Sequence, residues 1–381
     1  MKFNKEVWLL VLLVLAYLPY LLLRQDIFLY DGYAFLSLLC FSTTYYTSVP
    51  GFFALSFLPC NIFIGKLFLF SMYLVLIAGL VVLARLINKK RAIESVFVVL
   101  TLAPLTLFQF FMFENEVVAI PIAIWATIFL LYKTKSWIKK VLTTIIGLIL
   151  LIIAATVWNL IAYYAIALIP MAPVVIVLGL YIAVFYSNSF IGYLDVFSGV
   201  IENRKFGLTQ ILFLPLLVLN YKHKNKLLLV SLAISLVFGL LNAKLFILAV
   251  PFFVMQAPYF LDWLEKKDIA YKEYLIALGI VLVFGWSYIG FTGEPTQTDW
   301  DLIDTAITTA SDNNLPLYND WSYGHWINWK GYKTSYVGSS PDPDYDLLEK
   351  PFVAFTQLDL NCSKIVDNNN LFRPVKVFVC D

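Results

Sequence analysis

Acidic residues recur at three separated places in an otherwise apolar chain. Glu114 and Glu116 stand in "FENEVVAI", between two long apolar runs. Asp31 follows Asp26 in "RQDIFLYDGYAFLS", and Glu202 follows Asp195 in "YLDVFSGVIENRKFG". Carboxylate oxygens are the preferred ligands of hard divalent cations such as Mg2+ and Mn2+. A cation held by such groups at a membrane edge neutralises phosphate charge and orients a leaving group. Arg204, Lys205 and Lys244 are the cationic side chains close to these segments in the expected topology, and they suit a phosphate. Each residue also has a plainer explanation. Glu114 and Glu116 precede a helix, where acids favour the macrodipole by about 0.3–1 kcal/mol. Asp31 before Gly32 fits turn chemistry, Glu202 beside Arg204 fits a solvated ion pair, and Lys244 fits a snorkelling lysine.

The elements that position these groups follow from composition. Hydrophobic residues make up 61% of the 381 and charged residues 14%, against about a quarter charged in soluble proteins. Apolar runs reach the roughly 17–25 residues that cross a bilayer. The expected fold is therefore an all-α polytopic membrane protein. The first run, from Val7 to Leu23, lacks a small-residue cleavage site and reads as a retained helix. Net charge is +2, and no basic run suggests nucleic acid.

Basic clusters mark cytoplasmic loops. Placing Lys2/Lys5, Lys89–Arg91, Lys133–Lys140, Lys222–Lys226 and Lys266–Lys272 inside fixes a path of about eleven spans. The expected helices are 7–24, 65–88, 93–113, 117–132, 140–157, two short spans within 159–186 split at "PMAP", 208–221, 227–241, 243–262 and 273–290. This makes a transmembrane domain of residues 1–290, with outer loops at 25–64, 113–117 and 187–207. The N-terminus is then cytoplasmic and residues 291–381 are extracytoplasmic, in a multi-pass protein of the cell membrane. All the acids above fall on the outer face, although they played no part in setting the topology.

From residue 291 the composition turns polar, and a small α/β or α+β domain is expected. "DWDLIDTAITTASDNN" reads as a helix with Asp299 as its cap. "KPFVAF" and "PVKVFVC" read as strands. Cys362 and Cys380 are able to pair if this tail faces an oxidising compartment. The Trp and Tyr residues around 318–336 suit sugar stacking, and equally a membrane interface or a core. Asp342, Asp344 and Asp346 in "PDPDYD" suit calcium less well than a solvated loop.

Several of these segments together resemble the catalytic subunit of oligosaccharyltransferases, within the C-type (GT-C) membrane glycosyltransferase superfamily. "FQFFMFENEVVAIPIAIWATIFL" resembles its second-loop acid-any-acid motif, and "LYDGYAFLSLL" its first-loop aspartate motif. "NDWSYGHWINWKGYKTSYVG" resembles its tryptophan-tryptophan-aspartate-tyrosine-glycine signature through Trp321, Tyr323 and Gly324. Asp320 replaces the first Trp of that signature, and Ser322 replaces its Asp. "SGVIENRKFG" resembles the loop bearing a catalytic Glu, and "NAKLFILAVPFF" a late helix that usually carries an Arg, here Lys244.

The resemblance implies an inverting glycosyltransferase that uses a polyprenyl-phosphate-linked sugar donor, a protein or lipid acceptor and a divalent metal, Mn2+ or Mg2+. Asp31, Glu114 and Glu116 would hold the metal, with Asp31, Glu116 and Glu202 as the catalytic residues. Lys244 and Arg204 would bind the donor phosphate. Trp321, Ser322 and Tyr323 would contact the acceptor. Two rival readings are a transporter or flippase of lipid-linked sugars and a catalytically inactive glycolipid-binding homologue.

Overall fold

The computed structural model describes residues 5–23, 61–102, 116–158, 160–178, 225–241, 243–267, 277–282, 297–320, 323–332, 343–368 and 375–381. These fall into two compact units. The first, helical unit takes in the described residues of 5–23, 67–102 and 116–282. The second takes in 61–66 and the described residues from 297 on.

The helical unit contains α1 (Lys5–Leu15), α2 (Leu18–Leu23), α3 (Ile62–Ile87, from Leu67), α4 (Ala92–Leu102), α5 (Glu116–Leu131), α6 (Trp137–Val157), α7 (Ile161–Leu168), α8 (Lys226–Leu241) and α9 (Val250–Lys267). Among the described residues, three helical stretches are long and apolar enough to cross a membrane: Ile62–Ile87, Trp137–Val157 and Leu245–Lys266. Shorter apolar helices at Ala92–Thr101, Glu116–Leu131 and Lys226–Gly239 accompany them. The result is a multi-helical membrane protein. The expected helix 208–221 lies outside the described residues, as does most of 273–290.

Aromatic and hydroxyl contacts hold the helices together. Tyr73 of α3 donates to the Leu13 carbonyl of α1 at 3.5 Å, and Tyr17 stacks on Tyr73 with centroids 5.3 Å apart. Helices α5 and α6 form an antiparallel hairpin whose close approach rests on Gly147. A Cβ there would lie 2.7 Å from Leu130 Cγ and 3.0 Å from the Ala126 carbonyl. Ser136 caps α6 by accepting from the Lys139 amide, so this helix begins three residues before the expected 140.

The segment 159–186 corrects one expectation. The chain does break ahead of Pro170, but the first piece, α7, has only 8 residues. At about 1.5 Å per residue it is far short of the roughly 30 Å hydrocarbon core and does not cross alone. It is apolar on every side because it is buried on nearly every side. The Tyr164 hydroxyl meets Thr127 Oγ1 of α5 at 2.6 Å, its ring packs on Phe252 of α9, and Tyr163 meets Phe238 of α8 edge-on. Helix α7 is thus the internal post around which longer helices gather. The rest of the expected second span, 179–186, lies outside the described residues.

The second unit carries a sheet of order β1-β2-β4-β3, formed by β1 (Leu317–Asn319), β2 (Phe352–Thr356), β3 (Ser363–Asn368) and β4 (Val375–Cys380). Strand β1 runs parallel to β2, and the remaining pairs are antiparallel. Helix α10 (Gln297–Asp312) packs on the sheet, and the short α11 (Gly324–Trp329) follows β1. Alternation along β2 sends Phe352 and Ala354 to a core with Tyr345 and Phe378. The expected strands are therefore present. Asp299 is not the cap of α10: the helix already includes Gln297, and Asp299 is a buried first-turn residue.

Cys362 and Cys380 are disulfide-bonded, joining the residue before β3 to the end of β4. With 18 residues of sequence separation, the chain-entropy model assigns the cross-link about 3 kcal/mol. The Cys362→Ser/Cys380→Ser variant should lose about that much from this unit. Amide exchange along β4, with and without reductant, measures it.

Candidate functional site

The first element of the site is the start of α5. Glu116 is its first residue and is only 4% exposed. Every residue from Val117 to Pro121 is buried as well. The dipole of a helix N-terminus favours a carboxylate by about 0.3–1 kcal/mol, and by about 2 at best. Removing a carboxylate from water costs several kcal/mol. The dipole alone therefore does not hold Glu116 charged and buried. A charged Glu116 would need hydrogen bonds or positive charge at the carboxylate to supply the difference, and Glu116 is engaged within the structure. As a carboxylate, Glu116 is chemically able to supply one oxygen ligand to a divalent cation. The other ligands expected from sequence, Asp31 and Glu114, lie outside the described residues, as do Glu202 and Arg204. Among the described residues no group of three or more potential metal ligands occurs. Lys244 lies on the 3-10 stretch Ala243–Ala249 that leads directly into α9.

The second element is the turn after β1. Trp321 and Ser322 lie outside the described residues, but both flanks are fixed. Asp320, buried, accepts the Tyr345 hydroxyl at 2.9 Å on Oδ1 and the Gln357 amide at 2.8 Å on Oδ2. Its own amide donates to the Phe355 carbonyl at 3.2 Å. Its carbonyl accepts from the Tyr323 amide at 3.0 Å and from Asn319 Nδ2 at 2.8 Å. Tyr323 is 1% exposed. Its hydroxyl accepts from Gln357 Nε2 at 2.5 Å, and its ring meets Phe355 at 90° with centroids 5.1 Å apart. Tyr323 is therefore a core residue of the second unit. Any part it has in acceptor recognition runs through the chain it holds rather than through an exposed ring.

Two features escaped the sequence reading. Lys66, the fifth residue of α3, is 1% exposed and engaged. It is the sole charge between Ile62 and Ala84, and that isolation was the available signal, because an intramembrane charge demands an anion or a polar cavity. Asp320 read only as a lost Trp; its clamp role depends on contacts some thirty-seven residues away.

At one end of the helical unit, Arg91 gathers three carboxylates. Its Nε donates to Asp262 at 3.0 Å and its Nη1 to Glu94 at 2.9 Å, and Glu265 completes the set. Asn88 Nδ2 also donates to Asp262, at 3.0 Å. Burial acts to lower the Arg91 pKa, but its hydrogen bonds to Asp262 and Glu94, together with their negative charge, outweigh it and raise it. The segments around Arg91 and Glu265 thus meet at one end of the unit.

No protein-family model matches the chain, and no curated protein matches it by sequence. Among solved structures it is similar to the crystal structure of ArnT from Cupriavidus metallidurans bound to undecaprenyl phosphate. The TM-score is 0.59 at 14% identity, over 97% of this chain and 97% of that one. At 14% identity the likeness is one of fold.

Proposed function

We propose that this chain is a membrane glycosyltransferase that moves a sugar or oligosaccharide from a polyprenyl-phosphate-linked donor to a protein or lipid acceptor at the outer membrane face, with inversion and with the help of Mn2+ or Mg2+. The observation that carries this reading is a whole-length fold likeness to a protein bound to undecaprenyl phosphate. The burial of Glu116 at the start of a helix supports it, since a carboxylate withdrawn from water suits a ligand better than a solvated surface acid. The disulfide of the second unit supports an outer location for the tail, because such bonds persist in oxidising compartments.

A divalent cation bound by Asp31, Glu114 and Glu116 would lower the charge on the departing phosphate. The remaining work falls to side chains of the chain itself. Arg204 and Lys244 would pair with the donor phosphate and hold its anomeric carbon in place. Glu202 would orient the acceptor on the opposite face and take its proton as the new glycosidic bond forms and the bond to phosphate breaks. Trp321 and Ser322 would contact the acceptor, held on either flank by Asp320 and Tyr323. Within the superfamily, the motif likeness to oligosaccharyltransferases keeps a protein acceptor in view.

Purified protein in nanodiscs, given radiolabelled polyprenyl-phosphate sugar and Mn2+, should release the sugar to an acceptor or to water, and EDTA should stop it. Donor binding without any release would overturn the enzyme reading and leave the inactive glycolipid-binding homologue. Movement of intact donor between leaflets without release would identify a flippase.

A further inference from the structure

We propose that the loop joining α5 and α6 is a docking site for anionic phospholipid headgroups. The stretch 132–140, "YKTKSWIKK", places Lys133 and Lys135 in the hairpin connection and Lys139 and Lys140 in the first turn of α6, and all four are exposed. Among the described residues none of them forms an ion pair. Arg91 is the contrast, with its guanidinium taken up by Asp262, Glu94 and Glu265. Charge along the sequence is just as one-sided, since no Asp or Glu occurs from Val117 to Leu194. No carboxylate near in sequence competes for these ammonium groups.

The apolar surface beside the lysines points to a bilayer rather than to a soluble acidic partner. Trp137 is 76% exposed and Ile138 72% exposed, and Tyr132 is half exposed beside them. Exposed Ile145, Ile149, Ile152 and Ile153 carry the apolar surface on along α6, which is long enough to cross a membrane. Trp and Tyr at the end of a span sit at headgroup depth. Lysines on the same loop then meet the phosphodiesters of that leaflet, and juxtamembrane lysine clusters of this size select anionic lipid. Arg91 and its carboxylates form a closed set, whereas this loop presents four uncompensated charges and an aromatic anchor.

The test compares wild type with a Lys133→Gln/Lys135→Gln/Lys139→Gln/Lys140→Gln variant. Native mass spectrometry of protein exchanged into mixed phosphatidylglycerol and phosphatidylcholine micelles reads the retained lipids. Wild type should retain phosphatidylglycerol in preference, each lysine contributing about fivefold, and added salt should weaken the preference. The glutamine variant should lose it, and the matching all-arginine variant should keep it. Equal retention of both lipids by wild type, or an unchanged preference in the glutamine variant, overturns the proposal. Should the glutamine variant fail to fold, amide exchange of residues 132–140 in wild type decides. Protection in nanodiscs containing phosphatidylglycerol but not in phosphatidylcholine alone is expected, and equal protection in both, or equal protection by a soluble acidic peptide, overturns it.

Discussion

Glu116→Gln should cut sugar transfer by about 10²–10³-fold in kcat, the loss typical when one preorganised electrostatic group is removed from a reacting centre. The substitution keeps the shape of the side chain and removes only its charge. Glu116 heads α5 and is buried with the turn that follows, so a neutral amide there costs less desolvation than a carboxylate. That saving offsets part of what the carboxylate's partners lose, so thermal stability should change little while activity falls. That divergence separates a functional carboxylate from a structural one. A residue kept only to complement the helix dipole would cost about 0.3–1 kcal/mol of stability when neutralised and leave turnover unchanged. The Mn2+ concentration needed for half-maximal activity should also rise in Glu116→Asp, which keeps the charge but shortens its reach. Single-turnover kinetics with a saturating labelled donor, together with scanning fluorimetry, reads both quantities. Full turnover in Glu116→Gln would remove this residue from the site.

Much of the helical unit was legible because span-length apolar runs bounded by lysines have few alternatives in a bilayer. The expected 117–132 and 227–241 meet Glu116–Leu131 and Lys226–Leu241 within the usual uncertainty of helix ends. Strands β2 and β4 were legible from dense Val and Phe beside a paired Cys. Helix α7 was not, because a short helix apolar all round looks in sequence like part of a span. Only the hydroxyl pair of Thr127 and Tyr164 and its neighbours on every side show it to be internal. Nor was the partnership of Arg91 with Asp262 foreseeable from local spacing, since the two are 171 residues apart. "LEKK" was read for its lysines alone, yet Glu265 within it reaches Arg91. In the "PDPDYD" segment the aspartates drew attention, but Asp344 and Asp346 are exposed, while Pro343 and Tyr345 are buried. The Tyr345 hydroxyl, not the carboxylates, ties that loop to the fold.

Asp320→Ala should destabilise the second unit by about 3–5 kcal/mol, because hydrogen bonds to a charged acceptor are each worth about 1.5–3 kcal/mol and this carboxylate accepts two of them. The loss has a second part. The Gln357 amide and the Tyr345 hydroxyl would be left in a part-buried or buried setting with no acceptor in place. Asp320→Asn should behave differently, at a cost of about 1 kcal/mol. Its Oδ1 still accepts from the Gln357 amide, while its Nδ2 donates to the Tyr345 oxygen, since a tyrosine hydroxyl both donates and accepts. The ordering Ala far worse than Asn therefore tests the hydrogen-bond geometry itself. Amide exchange along Phe352–Thr356, and the rate at which protease cuts the tail, would report it. Protection of β2 unchanged in Asp320→Ala would show that the clamp contributes nothing. The same comparison bears on acceptor recognition, because Asp320 and Tyr323 bracket Trp321 and Ser322 and both are tied to Gln357. If that bracket sets how the intervening residues meet the acceptor, Asp320→Asn should raise the acceptor KM with the donor KM unmoved, an asymmetry that loss of folded protein does not produce.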